Sequence, residues 1–265
     1  MSYDRQFLLG GAKRNEVLAL WEVAQYGEDS FSDPDYVCLY GLRPREWYER
    51  GVRILGRTAV ECTRDRLGDL IGRDVAAVAR TSGRDAATVL DPFAGSANTL
   101  YWIGRHLPDS DGVGFELDDA VFAATHRNLS ILGVAIELRP VDFQTGVQAL
   151  IVPDDHLVIV YVAPPWGDAL SADTGLDLHR TTPPVPAIIE LLARTFAPRQ
   201  LLFATQIHEA VNHASLGDVT ARFDWSTVRV YEIDKPGHNH GLVLGTMGWQ
   251  PPRPTAAGTP DRTPR

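Results

Sequence analysis

Apolar and polar positions alternate in blocks along most of the chain, with short apolar runs separated by longer amphipathic stretches. The run Leu157–Val162 has no polar interruption, which is typical of a parallel strand buried on both faces. Helical spacing follows several of the runs. We therefore predict strands at Thr88–Leu90, Gly112–Phe115, Ile136–Leu138, Leu157–Ala163, Gln200–Ala204, Ser226–Ile233 and Leu242–Met247, and helices at Ala97–His106, Asp118–Leu132 and Val185–Phe196.

This order of elements predicts an α/β fold with a doubly wound, mostly parallel, seven-stranded sheet. The last two strands flank a polar segment at 234–241, which predicts an antiparallel hairpin. We expect this domain to span residues 85–249. Residues 250–265 are rich in Pro, Thr, Gly and Arg, and we predict a disordered tail there.

Residues 1–84 are predicted to form a helical segment, which is a candidate lid over the sheet. Its apolar spacing predicts helices at Asn15–Tyr26, Arg43–Ile54 and Thr58–Ala79. The polar residues of Gly27–Pro34 predict a loop.

Composition narrows the classes of function. No run of about 18 apolar residues occurs, so we expect no membrane span, and the first residues do not resemble a secretory signal. Cys38 and Cys62 are the only cysteines, which favours a reducing, cytoplasmic location. The net charge of −9 argues against a long nucleic acid as partner, although a local basic patch stays open.

Candidate ligand-binding residues follow the first three predicted strands, where doubly wound sheets bind their ligands. A loop of small residues runs from Asp91 to Thr99. Glu116 is placed to accept hydrogen bonds from both hydroxyls of a ribose, and Asp142 and Phe143 are placed for the amine and the face of an adenine. The alternative is a tight turn followed by acids that cap helices; Asp118 is expected to be such a cap.

The acid at the start of this loop argues against a phosphate-bearing ligand such as NAD, as does the absence of the three-glycine pattern. S-adenosylmethionine has no phosphate and carries an ammonium and a sulfonium, so it meets the demands of the loop. The residues expected to bind this cofactor are Asp91, Phe93, Ala94, Gly95, Ser96, Asn98, Thr99, Glu116, Asp142 and Phe143.

A second motif, Ala163-Pro164-Pro165-Trp166, ends the long apolar strand. Methylation of an amine develops positive charge on nitrogen, which backbone carbonyls stabilise, and prolines add no competing N–H donor. A neighbouring aromatic ring orients a planar acceptor and favours a cation. These residue types suit methyl transfer to an amine, and Ala163, Pro164, Pro165 and Trp166 are the candidate catalytic residues.

Together the two motifs resemble those of class I S-adenosylmethionine-dependent methyltransferases over Thr88–Met247. The loop is similar to the Asp-Pro-Phe-Ala-Gly-Ser-Gly-x-Thr loop of amino-group methyltransferases. The second motif, with Asp177-Leu178 beyond it, is similar to that of trimethylguanosine synthases. The resemblance implies a Rossmann-like methyltransferase fold and a base-stacking role for Trp166.

The chain departs from these relatives at two positions. Ala97 stands where their loop has glycine, and Ala163 stands where they have Asp, Asn or Ser. The second departure removes a side-chain acceptor for the target amine, so the main-chain carbonyls of Ala163 and Pro164 would have to suffice.

Three histidines follow the later strands and are expected near the acceptor: His208, His238 and His240. One of them is a candidate proton acceptor, because histidine titrates near neutral pH; the alternative is a solvated hairpin. We expect no metal, because no further ligand cluster accompanies the pair of histidines in the hairpin.

These observations predict an S-adenosylmethionine-dependent N-methyltransferase that acts on a small-molecule or nucleoside-like acceptor. Two alternatives remain at this point. The first is methylation of a guanine or adenine amine in RNA, which the acidic charge disfavours. The second is a non-catalytic binding protein that kept the methyltransferase fold. The sequence does not indicate an oligomeric state.

Overall fold

A seven-stranded sheet forms the centre of the molecule in the computed structural model, which describes residues 3–234 and 236–252. The strand order is 3-2-1-4-7-9-8, and strand 9 runs antiparallel to the other six. Its strands are β1 (Ala87–Asp91), β2 (Ser110–Phe115), β3 (Ile136–Arg139), β4 (Leu157–Val162), β7 (Leu201–His208), β8 (Trp225–Tyr231) and β9 (His240–Met247), and a separate small hairpin holds β5 (Leu170–Ser171) and β6 (Gly175–Leu176).

The order confirms the predicted doubly wound sheet and its antiparallel last hairpin. Each of the three helices predicted after residue 85 is observed within one residue of its predicted ends. The helices are α1 (Arg5–Gly10), α2 (Leu20–Phe31), α3 (Pro44–Glu49), α4 (Gly56–Glu61), α5 (Asp65–Ala79), α6 (Asn98–His106), α7 (Asp119–Leu132), α8 (Phe143–Gly146), α9 (Val185–Phe196) and α10 (His213–Thr220). Only residues 250–252 of the predicted disordered tail lie within the described part, so that prediction falls mainly outside it.

The central strands β1 and β4 are buried on both faces, and their successive residues point to opposite sides of the sheet. Ile159 and Tyr161 belong to a core that includes α5, α6 and α7. Val158 and Val160 belong to a second core, on which α9 packs. The carboxyl ends of the central strands are therefore held rigidly from both sides. Among the described residues, no helix is long and apolar enough to cross a membrane.

The N-terminal segment differs most from the sequence prediction. The helix predicted at Asn15–Tyr26 begins only at Leu20, because the chain before it is extended and pairs with residues near Leu55. The same helix continues through Gly27 into the predicted loop and ends at Phe31. A Cβ at Gly27 would lie 2.2 Å from the carbonyl oxygen of Asp33, so this helix packs closely on the chain that follows it.

Two other predicted helices are shorter or interrupted. The helix predicted at Arg43–Ile54 ends at Glu49, shortly before Gly51 takes a positive φ of 92°. The helix predicted at Thr58–Ala79 is broken after Glu61, and a new helix begins at Asp65. Thr63 lies in this break, and its carbonyl accepts a hydrogen bond from the side chain of Asn98 at the start of α6.

The N-terminal segment and the sheet share one hydrophobic core. Leu18, Val23 and Trp47 of the segment are buried in the same cluster as Val89 and Ile159 of the central strands. The segment therefore forms a packed wall beside the carboxyl ends of the strands. Its role as a lid stays a prediction.

Candidate active site

Five strands bring their functional residues to one edge of the sheet. Asp91 ends β1, Glu116 directly follows β2, and Ala163 directly follows β4. His208 ends β7, and the antiparallel β9 begins at this edge with His240, which pairs in register with His208. The predicted cofactor and acceptor motifs are therefore next to each other, because β1 and β4 are neighbours.

The loop after β1 is tied closely to β2. The N–H of Ala94 donates to the carbonyl of Phe115 at 2.9 Å, and the N–H of Gly95 donates to the Glu116 carboxylate at 3.0 Å. A Cβ at Gly114 would lie 2.7 Å from the Cβ of Ala94, so only glycine fits under the loop. The loop backbone is thereby held in a fixed position beside the carboxylate.

Ala97 takes a left-handed conformation, with φ of 55°, at the N-cap of α6. This is the loop position where the sequence departs from the resembled glycine. A residue with a Cβ is strained there by about 1 kcal/mol or more. The side chain is fully buried, so packing against the core offsets part of this strain.

Asp91 is a buried carboxyl group with one protein donor. It is 2% exposed, and its carboxylate accepts one hydrogen bond, from the N–H of Phe93 at 3.0 Å. Burial raises the pKa of Asp91 to about 7; the backbone hydrogen bond opposes this shift, and the nearby Glu116 adds to it. The site therefore favours a cationic group beside Asp91.

Glu116 is held by two backbone donors, the N–H groups of Gly95 and Asp118, at 3.0 and 2.8 Å. Burial raises its pKa, although these bonds and the charge of Arg57 lower it in part. Arg57 of α4 pairs with Asp118 at 2.7 Å. Asp118 caps α7 as predicted, by accepting from two backbone N–H groups of the first turn.

Asn98, an expected cofactor-binding residue, uses its side chain for contacts within the protein. It is 1% exposed, and its amide is used by the N-terminal segment. The N–H of Tyr40 donates to Oδ1 at 2.8 Å, while Nδ2 donates to the Thr63 carbonyl at 2.8 Å and to Asp65 at 3.0 Å. Asn98 therefore positions the loop. Three further loop residues, Ala94, Ser96 and Thr99, are also buried, which leaves mainly their backbone for ligand contact.

Asp142 and Phe143 lie where an adenine was expected, but Phe143 does not offer an open ring. It is 3% exposed and packs in the core against Phe93, with ring centroids 5.3 Å apart. Asp142 caps α8 through the N–H of Gln144. The exposed apolar surface here belongs instead to Leu117, which is 69% exposed. Leu117 directly follows Glu116, and the sequence analysis did not single it out.

The Pro-Pro-Trp motif leaves β4 and turns toward β9. Pro164 is buried, Pro165 is exposed and Trp166 is half-buried. The Trp166 ring stacks on His240, with centroids 5.3 Å apart and planes 29° apart, and meets His208 edge-on at 5.9 Å. The structure thus brings two of the three predicted histidines to the tryptophan. His238 is more remote, and its ring approaches Phe31 at 6.4 Å.

Polar side chains, most of them buried, form a hydrogen-bonded chain that ends at His240. The amide nitrogen of Gln206 lies 2.9 Å from Nδ1 of His240, and the amide oxygen of Gln206 accepts from the hydroxyl of Tyr161. The hydroxyl of Thr63 lies 3.4 Å from the same oxygen. Sequence reasoning missed Gln206, because nothing in the local pattern marks a glutamine that faces inward from a strand.

His240 is not suited to act as a proton acceptor at neutral pH. Burial, followed by the charges of Arg64 and His208, lowers its pKa to about 4. His208 has a contact at each ring nitrogen: the N–H of Ala210 donates to Nδ1 at 3.1 Å, and the carbonyl of Gly237 lies 3.3 Å from Nε2.

The N-terminal segment places aromatic rings near the loop between β8 and β9. Phe31 and Tyr36 stack with their centroids 3.4 Å apart, and the guanidinium of Arg64 lies 3.6 Å from the Tyr36 ring centroid. Arg64 also pairs with Asp234 of the β8–β9 loop at 2.9 Å. Within residues 3–234 and 236–252, no group of three or more His, Cys, Asp or Glu side chains could hold a metal ion.

Comparison with known proteins identifies the fold of this chain but not a protein family. No protein-family model matches the sequence, and no curated protein is significantly similar to it. The METTL16 methyltransferase domain is a similar solved structure, with TM-score 0.53 and 12% identity over 72% of each chain. A second structure of that domain, truncated at its N-terminus, has TM-score 0.51 and 14% identity, over 71% of this chain and 84% of that chain. The chain thus has the Rossmann-like methyltransferase fold.

Proposed function

We propose that this protein is an S-adenosylmethionine-dependent methyltransferase that methylates an amino nitrogen of a small-molecule or nucleoside-like acceptor. One observation carries the proposal. Asp91 at the end of β1 and Glu116 directly after β2 place two carboxylates side by side in a methyltransferase fold, and Pro164-Pro165-Trp166 follows β4, the other neighbour of β1.

The chemistry of the first two residues supports this cofactor. Asp91 is buried, receives a single protein hydrogen bond and lies close to a second carboxylate, so a cationic ammonium would stabilise its charged form. Glu116 is held by two backbone donors, and the remaining lone pairs of its oxygens suit the hydroxyls of a ribose. A phosphate would be repelled here. S-adenosylmethionine, when bound, supplies an electrophilic methyl group.

The acceptor side would act by positioning. Pro164 and Pro165 add no N–H donors, so a target amine would meet the carbonyls of Ala163 and Pro164. Those carbonyls would stabilise the positive charge that develops on the amine. Trp166 supplies a flat surface for a planar acceptor, and alignment of the two reactants accounts for most of the expected rate.

Calorimetry tests cofactor binding directly. The wild-type protein is expected to bind S-adenosylmethionine and its demethylated product, S-adenosylhomocysteine, and not NAD. Glu116→Ala should weaken binding at least tenfold, while Glu28→Ala, which removes an exposed glutamate on α2, should leave it unchanged. Absence of S-adenosylmethionine binding by the wild-type protein would overturn the proposal and favour a binding protein that kept only the fold.

Turnover then identifies the acceptor class. The protein is incubated with methyl-labelled cofactor and with free nucleosides, small amines or short RNAs, and the label is located by mass spectrometry. Label on an amino nitrogen of a small acceptor is the expected result. Transfer only to RNA, lost as salt is raised, would replace the small acceptor with a nucleic acid.

A further inference from the structure

The two histidines beside Trp166 differ in how their ring nitrogens are used. Both nitrogens of His208 have partners, a backbone N–H and a backbone carbonyl. His240 has a partner only at Nδ1, where Gln206 approaches at 2.9 Å. Among the described residues, the hydroxyl of Thr205 is the one fully buried side-chain N or O atom without a hydrogen-bond partner. Nε2 of His240 also lacks a partner, so it is not fully buried and is open to solvent or ligand.

The two amide atoms of Gln206 have different partners. The hydroxyl of Tyr161 donates to the amide oxygen, and that of Thr63 lies 3.4 Å from it. Burial raises the pKa of Tyr161, so this hydroxyl stays protonated and available as a donor. The amide nitrogen of Gln206 faces His240 in the structure, at 2.9 Å from Nδ1, and an amide nitrogen only donates. Nδ1 therefore accepts, which puts the proton of the neutral ring on Nε2.

Charged groups surround His240 without providing a close counter-ion. Arg64 and His208 disfavour a second positive charge, whereas Asp234 and Glu209 favour it. Both acids are engaged elsewhere: Asp234 pairs with Arg64, and Glu209 accepts from the backbone and side chain of Asn239. The half-buried ring is therefore more stable in its neutral form.

We propose that Gln206 holds His240 as an uncharged donor at Nε2, and that this donor selects planar acceptors with an in-plane hydrogen-bond-accepting atom beside the target amine. His240 is thus a specificity-determining residue and Gln206 a positioning residue. The selection of acceptors rests on the proposed methyl transfer, whereas the protonation state of His240 does not.

The geometry of the ring explains why a planar acceptor is favoured. An imidazole N–H donates close to the plane of its ring. The His240 plane lies within 29° of the Trp166 plane. A flat acceptor bound to Nε2 in that plane would share this 29° tilt to the indole. Amino-heterocycles such as adenine and cytosine carry a ring nitrogen directly beside their exocyclic amine, so they offer both features.

Long-range proton–nitrogen NMR of the full chain tests the state of the ring without any ligand. We expect His240 to show a protonated Nε2 and an unprotonated Nδ1 at pH 7, unchanged down to pH 5. Gln206→Leu should abolish this preference, whereas Gln148→Leu, at an exposed position, should leave it unchanged. A proton on Nδ1 in the wild-type protein, or titration of His240 near pH 6.5, would overturn the proposal.

Pairs of nucleosides that differ by one ring atom test the selection of acceptors. Binding is measured in the presence of saturating S-adenosylhomocysteine for adenosine against 1-deazaadenosine and for cytidine against 3-deazacytidine. For the nucleoside that binds, loss of the ring nitrogen should weaken binding about tenfold, the worth of one hydrogen bond. His240→Phe retains an aromatic ring beside Trp166 but has no donor, so it should bind both members of the pair equally.

The outcomes separate this inference from the proposed function. If S-adenosylhomocysteine does not bind at all, the proposed function fails, and NMR alone still decides the state of His240. If it binds but neither nucleoside does, or if the deaza analogues bind as well as their parents, the selective role of His240 is overturned while methyl transfer stands.

Discussion

The two halves of the candidate site differ in the chemical groups that they present to a ligand. The half formed by β1 and β2 presents carboxylates, Asp91 and Glu116, in a loop whose backbone is fixed by several hydrogen bonds. The half formed by β4, β7 and β9 presents uncharged rings, Trp166 and His240, over a buried chain of neutral polar groups.

This contrast separates attraction from orientation. Buried carboxylates suit a cationic cofactor, and they make the site costly to maintain without one, because an ionised acid in a buried position is destabilising. Neutral stacked rings add little long-range attraction, but they restrict an acceptor to one plane. Single substitutions can therefore disturb one half at a time.

The largest effect is expected for Asp91→Asn. Burial raises the pKa of Asp91 from 3.8 in the unfolded chain to about 7 in the folded protein. The free energy of unfolding therefore falls as pH rises between these two values, and by pH 8 the full cost of the buried charge is present. The neutral variant avoids this cost, which is about 4 kcal/mol at most. Thermal unfolding at pH 8 should therefore show a more stable protein, while calorimetry should show S-adenosylmethionine affinity reduced by about 100-fold or more.

Asp155→Asn is the matched control, because Asp155 is exposed at the start of a turn before β4. It should change neither stability nor cofactor affinity. An Asp91→Asn variant that bound S-adenosylmethionine as tightly as the wild-type protein would remove Asp91 from the proposed ammonium site.

Trp166→Ala should break the acceptor half alone. Loss of a stacking surface for a planar base costs about 1–3 kcal/mol, so kcat/KM for the acceptor should fall about 30-fold. Affinity for S-adenosylmethionine should change less than twofold. The control is Trp21→Ala, at a tryptophan that is 61% exposed on α2. Equal losses of cofactor and acceptor binding would contradict the separation of the two halves.

The pH dependence of cofactor binding sharpens the comparison. An ammonium binds best to ionised Asp91, so affinity should rise about tenfold between pH 6 and pH 8, as this group loses its proton near pH 7. Calorimetry across this range measures the effect, and the profile of Asp91→Asn should be nearly flat. A wild-type affinity that does not change with pH would show that Asp91 is already ionised without the cofactor.

The smallest effect is expected for Ala97→Gly. Glycine relieves the strain at a φ of 55° but loses more entropy on folding, so a net gain of about 0.5–1 kcal/mol is expected in chemical unfolding. Ala123→Gly, inside α7, should instead destabilise by about 1 kcal/mol. A destabilised Ala97→Gly variant would mean that the buried methyl group contributes more through packing than its backbone strain costs.

Much of the sheet was predictable because its signals are local. All seven main strands and the helix Val185–Phe196 follow from apolar runs and helical spacing. The helix α10 was missed, since its eight residues carry a weak apolar pattern, and the extended chain before Leu20 was misread as helix. That chain contains helical spacing, but pairing with residues near Leu55 prevails over the local preference.

By itself, the sequence determined the succession of strands along the chain and the placement of Asp91, Glu116 and Trp166 just at or after strand ends. These features are local, because periodicity and turn residues act over a few positions. Only the tertiary structure decided which polar groups meet. Gln206 contacts His240, which lies 34 residues later in the chain. Gln206 also contacts Thr63, which lies 143 residues earlier. The neutrality of His240 and the raised pKa of Asp91 arise from burial by distant segments, and burial is a property of the assembled fold.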